Sequence, residues 1–324
     1  MIETNQILNS NPLVNIEIFR CPICKEKLFV NEIGQLYCSN TQCTKNNESF
    51  LLLNNKPVLI DFDKSIIGES NFTANVGKSL VPRREKWFGK ALRYIFQGES
   101  SITRSNVSYL IKTMNTLTNP RILVVGGGEI GSGFEEFYQL FRDNIMSFDI
   151  YDSENIEFIA DGHSIPLQSE VFDLVIIQAV LEHVLDPQLV ASECTRVLKK
   201  GGIIYAETPF MQQIHEGPFD FTRFTESGHR YLFKEHILIS SGHTSGVGVA
   251  LIWSLSAFFS GLFQTRKVGK LIRVLFFWLR FFDKLVPNKY NVDGACGVYF
   301  IGKKDDQPIK SVEIIKHYKG SQRI

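Results

Sequence analysis

The chain has 324 residues, of which 44% are hydrophobic, and 35 Lys and Arg stand against 34 Asp and Glu. That length suits about two domains at roughly 150 residues each, and the composition excludes wholesale disorder. A net charge of +1 excludes a uniformly basic surface, so nucleic acid is not the expected partner.

The first residues carry an acid at Glu3 and neither a basic nor an apolar leader region, so no secretory signal is expected and the cytoplasm is the expected compartment. Four of the six cysteines lie before residue 45, a clustering that suits a metal better than a disulfide scaffold. Cys21-Pro-Ile-Cys24 and Cys38-Ser-Asn-Thr-Gln-Cys43 form two knuckles, each turning two thiolates toward one point. Together they make a tetrahedral site for Zn2+. Four thiolates leave no open position, so the zinc is expected to be structural and to supply folding free energy that so short a segment lacks. The surrounding run, from Phe19-Arg20-Cys21-Pro22 through Ser49-Phe50-Leu51 to Lys56-Pro57-Val58-Leu59-Ile60, resembles the small zinc-ribbon proteins that activate tRNA and protein methyltransferases. It implies a zinc-ribbon domain over 16–62, although the second knuckle is wider than the family's usual spacing.

Residues 63–82 are rich in Asn, Ser, Gly and Lys and read as a linker. A helical lead-in is expected over 83–118, with Trp87, Leu92, Ile95 and Phe96 on one face and Val107, Leu110, Ile111 and Met114 on another.

Arg121-Ile-Leu-Val-Val125 reads as a buried strand that opens into Gly126-Gly-Gly128-Glu-Ile-Gly131, with a helix from Phe134 to Phe141. Strand, glycine turn and helix form the first unit of a doubly wound nucleotide-binding fold. The glycine spacing also fits dinucleotide enzymes, so it leaves NAD open. Asp149 ends the second strand, where a carboxylate can accept both ribose hydroxyls of an adenosine ligand; Asp152 is the alternative.

The next stretch separates these readings. Asp161-Gly162-x-x-x-Pro166, Phe172-Asp-Leu-Val175, Leu181-Glu-His183-Val-x-Asp-Pro187 and Arg196-Val-Leu-Lys-x-Gly-Gly202 follow in order. They resemble the class I S-adenosylmethionine-dependent methyltransferases over roughly 119–240. The resemblance implies a Rossmann-like α/β fold, doubly wound around a mostly parallel seven-stranded sheet, within a domain over 119–304. It implies S-adenosyl-L-methionine as cofactor: Gly126, Gly128 and Gly131 would shape the methionine end, Asp149 would hold the ribose, Asp161 and Gly162 the adenine, and Gln178 would stand near the sulfonium. Two departures are visible. Val124 stands where the family often has an acid, and only Tyr151 to Glu157 separates the second and third strands, leaving little room for a helix.

Asp173, Glu193 and Arg196 are expected to serve structure. A hydroxyl acceptor needs a base, and histidine suits neutral pH. His183 follows the fourth strand, and His215 and Asp220 lie in a loop after the fifth that is dense in acids, Arg and aromatics. Its Asp220-x-x-Arg223-Phe224-Thr225 segment resembles methyltransferases associated with bacterial surface polysaccharide and glycolipid synthesis. The expected acceptor is therefore a sugar hydroxyl of a glycan or lipid-linked glycan, with tRNA or protein presented by the zinc ribbon, or a non-catalytic scaffold, as alternatives. His163, His229, His236 and His243 are not separable from surface residues.

Between His243 and Arg266 the chain carries no formal charge, and glycines and serines argue against a membrane span. Arg266, Lys270, Arg273, Arg280 and Lys284 then repeat at helical spacing opposite Leu, Phe and Trp. An aromatic and basic insertion over about 253–290 follows, read either as an element at the inner face of the membrane through 266–286 or as a helix packed on the domain. Ala295 to Gly302 reads as a final strand, and the tail beyond Lys303 is uninformative.

Overall fold

The computed structural model describes residues 16–75, 100–305 and 307–322. Trp87, Leu92, Ile95 and Phe96 of the expected lead-in, and the linker beyond residue 75, lie outside them. The N-terminal module holds two hairpins: β1 (Leu28–Val30) with β2 (Leu36–Cys38), and β3 (Leu52–Leu53) with β4 (Lys56–Leu59). Then follow β5 (Ile122–Val125), β6 (Ile145–Asp149), β7 (Phe158–Ala160), β8 (Phe172–Gln178), β9 (Leu198–Pro209), β10 (His236–Ser245) and β11 (Gly297–Lys304). The main sheet runs β10-β11-β9-β8-β5-β6-β7-β4-β3. It is parallel from β4 through β9, and β11 lies antiparallel between β9 and β10.

A strand covered on both faces must be apolar along its length, and all four residues of β5 are buried. Its side chains alternate between two cores. Leu123 and Val125 join Val175 and Ile177 of β8 in one, while Ile122 and Val124 join Leu174 and Ile176 in the other. Helices α2 (Ser101–Met114) and α3 (Glu135–Phe141) close the second core. The first is closed by α4 (Pro187–Val197) and by the cysteine module, through Phe19, Leu28, Leu36 and Phe50.

Among the described residues the sheet therefore has nine strands instead of the expected seven. The added pair comes from the end of the cysteine module, because β4 runs parallel to β7, Val58 opposite Ile159 and Leu59 opposite Ala160. A fully buried strand laid along an open sheet edge saturates that edge's backbone groups. The module is joined elsewhere too. Arg20 N–H donates to Pro166 C=O at 2.9 Å, and Phe19 meets Phe158 edge-on with centroids 5.2 Å apart. Lys25 bridges Ser164 and Glu193 at 2.8 and 2.9 Å.

No helix forms between β6 and β7, as the short spacing implied. The face of β7 left open is covered from an unexpected direction. Residues 63–75 do not behave as a linker: they form a turn and α1 (Glu69–Ala74), and Ile67 and Phe72 pack with Val58 and Ile159. Glu193, Arg196 and Asp173 serve structure as expected; Arg196 pairs with Glu193 at 2.6 Å, and Asp173 takes Arg121 N–H and Lys199.

The insertion lies between β10 and β11, running through α6 (Val247–Leu262), α7 (Arg266–Leu275), a 3-10 helix over Phe277–Lys284 and α8 (Asn288–Asp293). Helix α6 has no cap of its own; Asp283 accepts from Gly246 and Gly248 N–H at 3.1 and 2.6 Å and satisfies its first turn. The five basic residues do not form one helical stripe. The α-helix stops at Leu275, and Arg273 turns onto Trp253 of α6, 5.0 Å from the ring centroid, where a cation–π contact holds it. No helix among the described residues is long and apolar enough to cross a membrane. The polar tail is ordered in part as α9 (Ser311–His317), whose His317 bonds Glu226 of α5 (Glu226–Leu232) at 2.8 Å.

Candidate active site

Parallel sheets open a crevice at the carboxyl ends of their strands. Here that edge holds a cavity that is partly open to solvent. Gly126 after β5, Asp149 at the end of β6, and Asp161 and Gly162 after β7 line it, with His183 on the β8 side. Gly126 sits at φ +73°, and a Cβ there would come within 2.3 Å of Val180, so only glycine makes this turn without strain. Asp149 is anchored by backbone, accepting from Ile150 N–H at 2.7 Å and Gly128 N–H at 2.9 Å. This set fits an adenosine ligand: a turn with no side chain to obstruct it, and an anchored carboxylate one strand away.

Three expected residues stand differently. Gly128, Gly131 and Gln178 do not line the cavity. Gly131 faces Gln178, whose Oε1 lies 1.8 Å from where a Cβ would be, so the glycine makes room for the glutamine. Gln178 donates to Glu207 at 2.6 Å, a carboxylate that also accepts from Thr103 at 2.7 Å and from Tyr205. Burial pushes the Glu207 carboxyl up, against the pull of those hydrogen bonds. Asp161 already accepts from Ser65 at 2.6 Å and from the His163 backbone and ring. Burial opposes its charge, but those bonds outweigh it and hold the carboxyl below its usual range.

His183 and His215 do come together, their rings edge to face with centroids 5.0 Å apart. His183 Nδ1 lies 2.7 Å from Phe219 C=O; a carbonyl only accepts, so Nδ1 carries a proton, and in the neutral ring the lone pair is on Nε2. His215 Nδ1 lies 3.3 Å from Asp220, which Arg223 holds through both carboxylate oxygens. Those bonds outweigh burial and hold the Asp220 carboxyl down at about 2. Both Nε2 atoms face Glu182, at 3.6 Å from His183 and 3.9 Å from His215. Glu182 is fully buried, and burial pushes its carboxyl up to about 8.

The four cysteines converge as expected. Cys24 and Cys38 sulfurs lie 3.4 Å apart, Cys21 and Cys43 sulfurs 3.8 Å apart, and all four fall within 4.8 Å of one another. A tetrahedron with metal–sulfur bonds of about 2.3 Å has edges of about 3.8 Å, so the thiolate set fits a single zinc ion.

Sequence reasoning missed Glu182, Glu207, and the cover formed by Ser65, Ile66 and Ile67. Glu207 closes a strand and Glu182 precedes a candidate histidine, so position offered a signal for both. Nothing marked 65–67, which reach the cavity only through tertiary packing. His229 and His236, expected among surface residues, are 1% and 2% exposed, packed around Phe233. His163 lines the cavity.

Residues 128–206 match the family described as Methyltransferase domain. No curated relative matches the sequence. Among solved structures, a Galdieria sulphuraria protein described as a sarcosine dimethylglycine methyltransferase is 15% identical, with TM-score 0.41 over 73% of this chain and 97% of its own. An S-adenosylmethionine-dependent methyltransferase of Archaeoglobus fulgidus is 15% identical, with TM-score 0.39 over 68% and 100%. A phosphoethanolamine N-methyltransferase of Haemonchus contortus is 15% identical, with TM-score 0.40 over 69% and 59%. The family match begins inside the glycine turn and ends in β9, so it spans β6, β7 and β8 and includes Asp149, Asp161, Gly162 and His183 of the cavity wall. This chain carries a class I S-adenosylmethionine-dependent methyltransferase domain.

Proposed function

We propose that the enzyme methylates a hydroxyl of a sugar-like acceptor, part of a glycan or lipid-linked glycan, at the inner surface of a membrane. The observation that carries the acceptor class is the His183–His215–Asp220–Arg223 group at the cavity mouth. S-adenosylmethionine supplies a methyl group on a positively charged sulfur, so the chain's own task is to align the acceptor oxygen and relieve it of its proton. Gln212, Gln213, Thr222 and Arg223 line a shallow cleft beside it, a donor and acceptor mixture suited to sugar hydroxyls.

The membrane reading rests on the insertion. Phe258, Leu262, Leu271, Leu275, Phe281 and Leu285 are each more than half exposed, and apolar side chains gathered in one insertion are the kind of surface that meets a membrane or a partner. Lys267, Lys270 and Lys284 flank it and complement anionic lipid, each contributing about 1 kcal/mol near such a surface. Gln213, in the loop that carries His215, bonds Ser254 of α6 at 3.2 Å, which couples this surface to the acceptor side. The cysteine cluster holds a structural zinc in this reading.

The test is methyl transfer from labelled cofactor to glycan, glycolipid, RNA and protein fractions, with base-stable O-methyl sugar as the expected product. Label in RNA or protein alone would refute the acceptor class. Flotation with anionic vesicles should be lost when Lys267, Lys270 and Lys284 become Glu, and unchanged flotation would refute the membrane contact.

A further inference from the structure

We propose that Glu182, His183 and His215 form a second metal site, for a divalent cation that binds and acidifies the acceptor hydroxyl. The site rests on the methyltransferase reading for its role but not for its existence, which follows from four observations.

Glu182 is fully buried, and neither carboxylate oxygen has a hydrogen-bond partner among the described residues. A buried carboxylate without donors is strongly disfavoured unless a proton or a cation neutralises it. What faces it is two imidazole nitrogens, at 3.6 and 3.9 Å, and the ligand atoms of all three residues lie within 4.8 Å of one another. Atoms that each stand about 2.1 Å from one cation are separated by about 3 to 4 Å.

The orientation of both rings is the third observation. His183 gives its Nδ1 proton to Phe219 C=O, and His215 Nδ1 faces Asp220. In His183 that bond leaves the lone pair of the neutral ring on Nε2, toward Glu182, and His215 likewise turns its Nε2 toward Glu182. Metal-binding histidines are fixed in this way, by a carbonyl or carboxylate on the far nitrogen. Asp220 is itself locked by Arg223, so its charge is matched and it supports the ring without competing for the cation.

Finally, the site is open on one side. His183 lines the cofactor cavity, as does Glu216, and His215 lies on the exposed loop. Two imidazoles and one carboxylate leave several coordination positions free, the arrangement expected of a working metal and not a structural one. This separates it from the closed four-cysteine cluster. An acceptor hydroxyl bound there would release its proton to water at the loop. Its oxygen lone pair would then form the O–CH3 bond as the C–S bond breaks, with that bond's electron pair leaving on sulfur. The sulfonium becomes a neutral thioether, and no oxidant is needed. The histidines then act as ligands, not as bases.

Mn2+ is a suitable probe because it prefers oxygen and nitrogen to the thiolates of the other cluster. Titrating the full chain with Mn2+, with free ion read by electron paramagnetic resonance, should show one site. Glu182→Gln and His215→Ala should each weaken it at least tenfold, and Asp220→Asn about ten- to a hundredfold through loss of ring support. S-adenosylhomocysteine binding, measured on the same samples, reports folding and tests the methyltransferase reading separately. S-adenosylhomocysteine binding without Mn2+ binding up to about 1 mM, or Mn2+ binding unchanged in both variants, would overturn the metal site. Mn2+ binding lost in the variants while the cofactor product fails to bind would overturn the methyltransferase reading instead. Should Glu182→Gln not fold, His215→Ala on the exposed loop decides alone.

Discussion

Replacing Phe19 by alanine tests whether the cysteine module is part of the catalytic body. Phe19 is 1% exposed, packs edge-on against Phe158 of β7, and shares one core with Leu123, Val125 and Val175 of the central strands. Truncating such a ring costs about 3–5 kcal/mol, from lost transfer energy and the cavity left behind. At about 2.1 cal/mol/K per residue, a chain of 324 residues has an unfolding entropy of about 0.7 kcal/mol/K. The midpoint should therefore fall by about 4–7 °C. Scanning calorimetry is the assay, and one transition should move as a whole, because β4 and the catalytic strands share a sheet. A midpoint within about 1 °C of the parent, together with proteolysis confined to 16–62, would refute the reasoning: the module would then be a separate bead.

The remaining predictions concern the metal cluster and pH. Cys38→Ser should remove the zinc found by elemental analysis and loosen β1 and β2 in hydrogen exchange; one retained equivalent of zinc would refute the tetrathiolate assignment. His229 and His236 are kept neutral by burial, which pushes both down to about 3. Their folded values lie below the unfolded value of about 6.5, so their contribution is complete above that pH and is lost as pH falls toward 3. Each should add a slope of about 1.4 kcal/mol per pH unit over that window. His229→Phe should lower that slope by about 1.4 kcal/mol per pH unit in urea denaturation measured between pH 6 and pH 4, whereas an unchanged slope would exclude His229 as a source.

The parallel half of the fold was legible because each strand is apolar along its length and each turn has its own chemistry: Gly126 after β5, Asp149 after β6, Asp161 and Gly162 after β7. Local sequence carries those signals. What was not legible depends on partners distant in the chain. Lys56–Leu59 is too short to announce which edge it joins, and it pairs with β7, about a hundred residues away. Ile67 and Phe72 looked like isolated apolar residues in a polar stretch, yet they cover a strand face that the missing helix left bare. At the site, His183 and His215 were each legible as candidates from loops after the fourth and fifth strands, but their meeting and the role of Glu182 were not. A glutamate in a familiar motif reads as ordinary until its burial and its empty oxygens are seen. The basic stripe failed for a different reason: periodicity ran on through Phe276, where the α-helix had already ended.

Isothermal calorimetry of the full chain with S-adenosylhomocysteine tests the central claim most directly. One equivalent should bind, and Gly126→Val should abolish binding while the fold persists, because the turn needs φ +73° and a side chain there would strike Val180. Absence of binding up to about 1 mM, or undiminished binding by Gly126→Val, would contradict a methyltransferase built around this cavity.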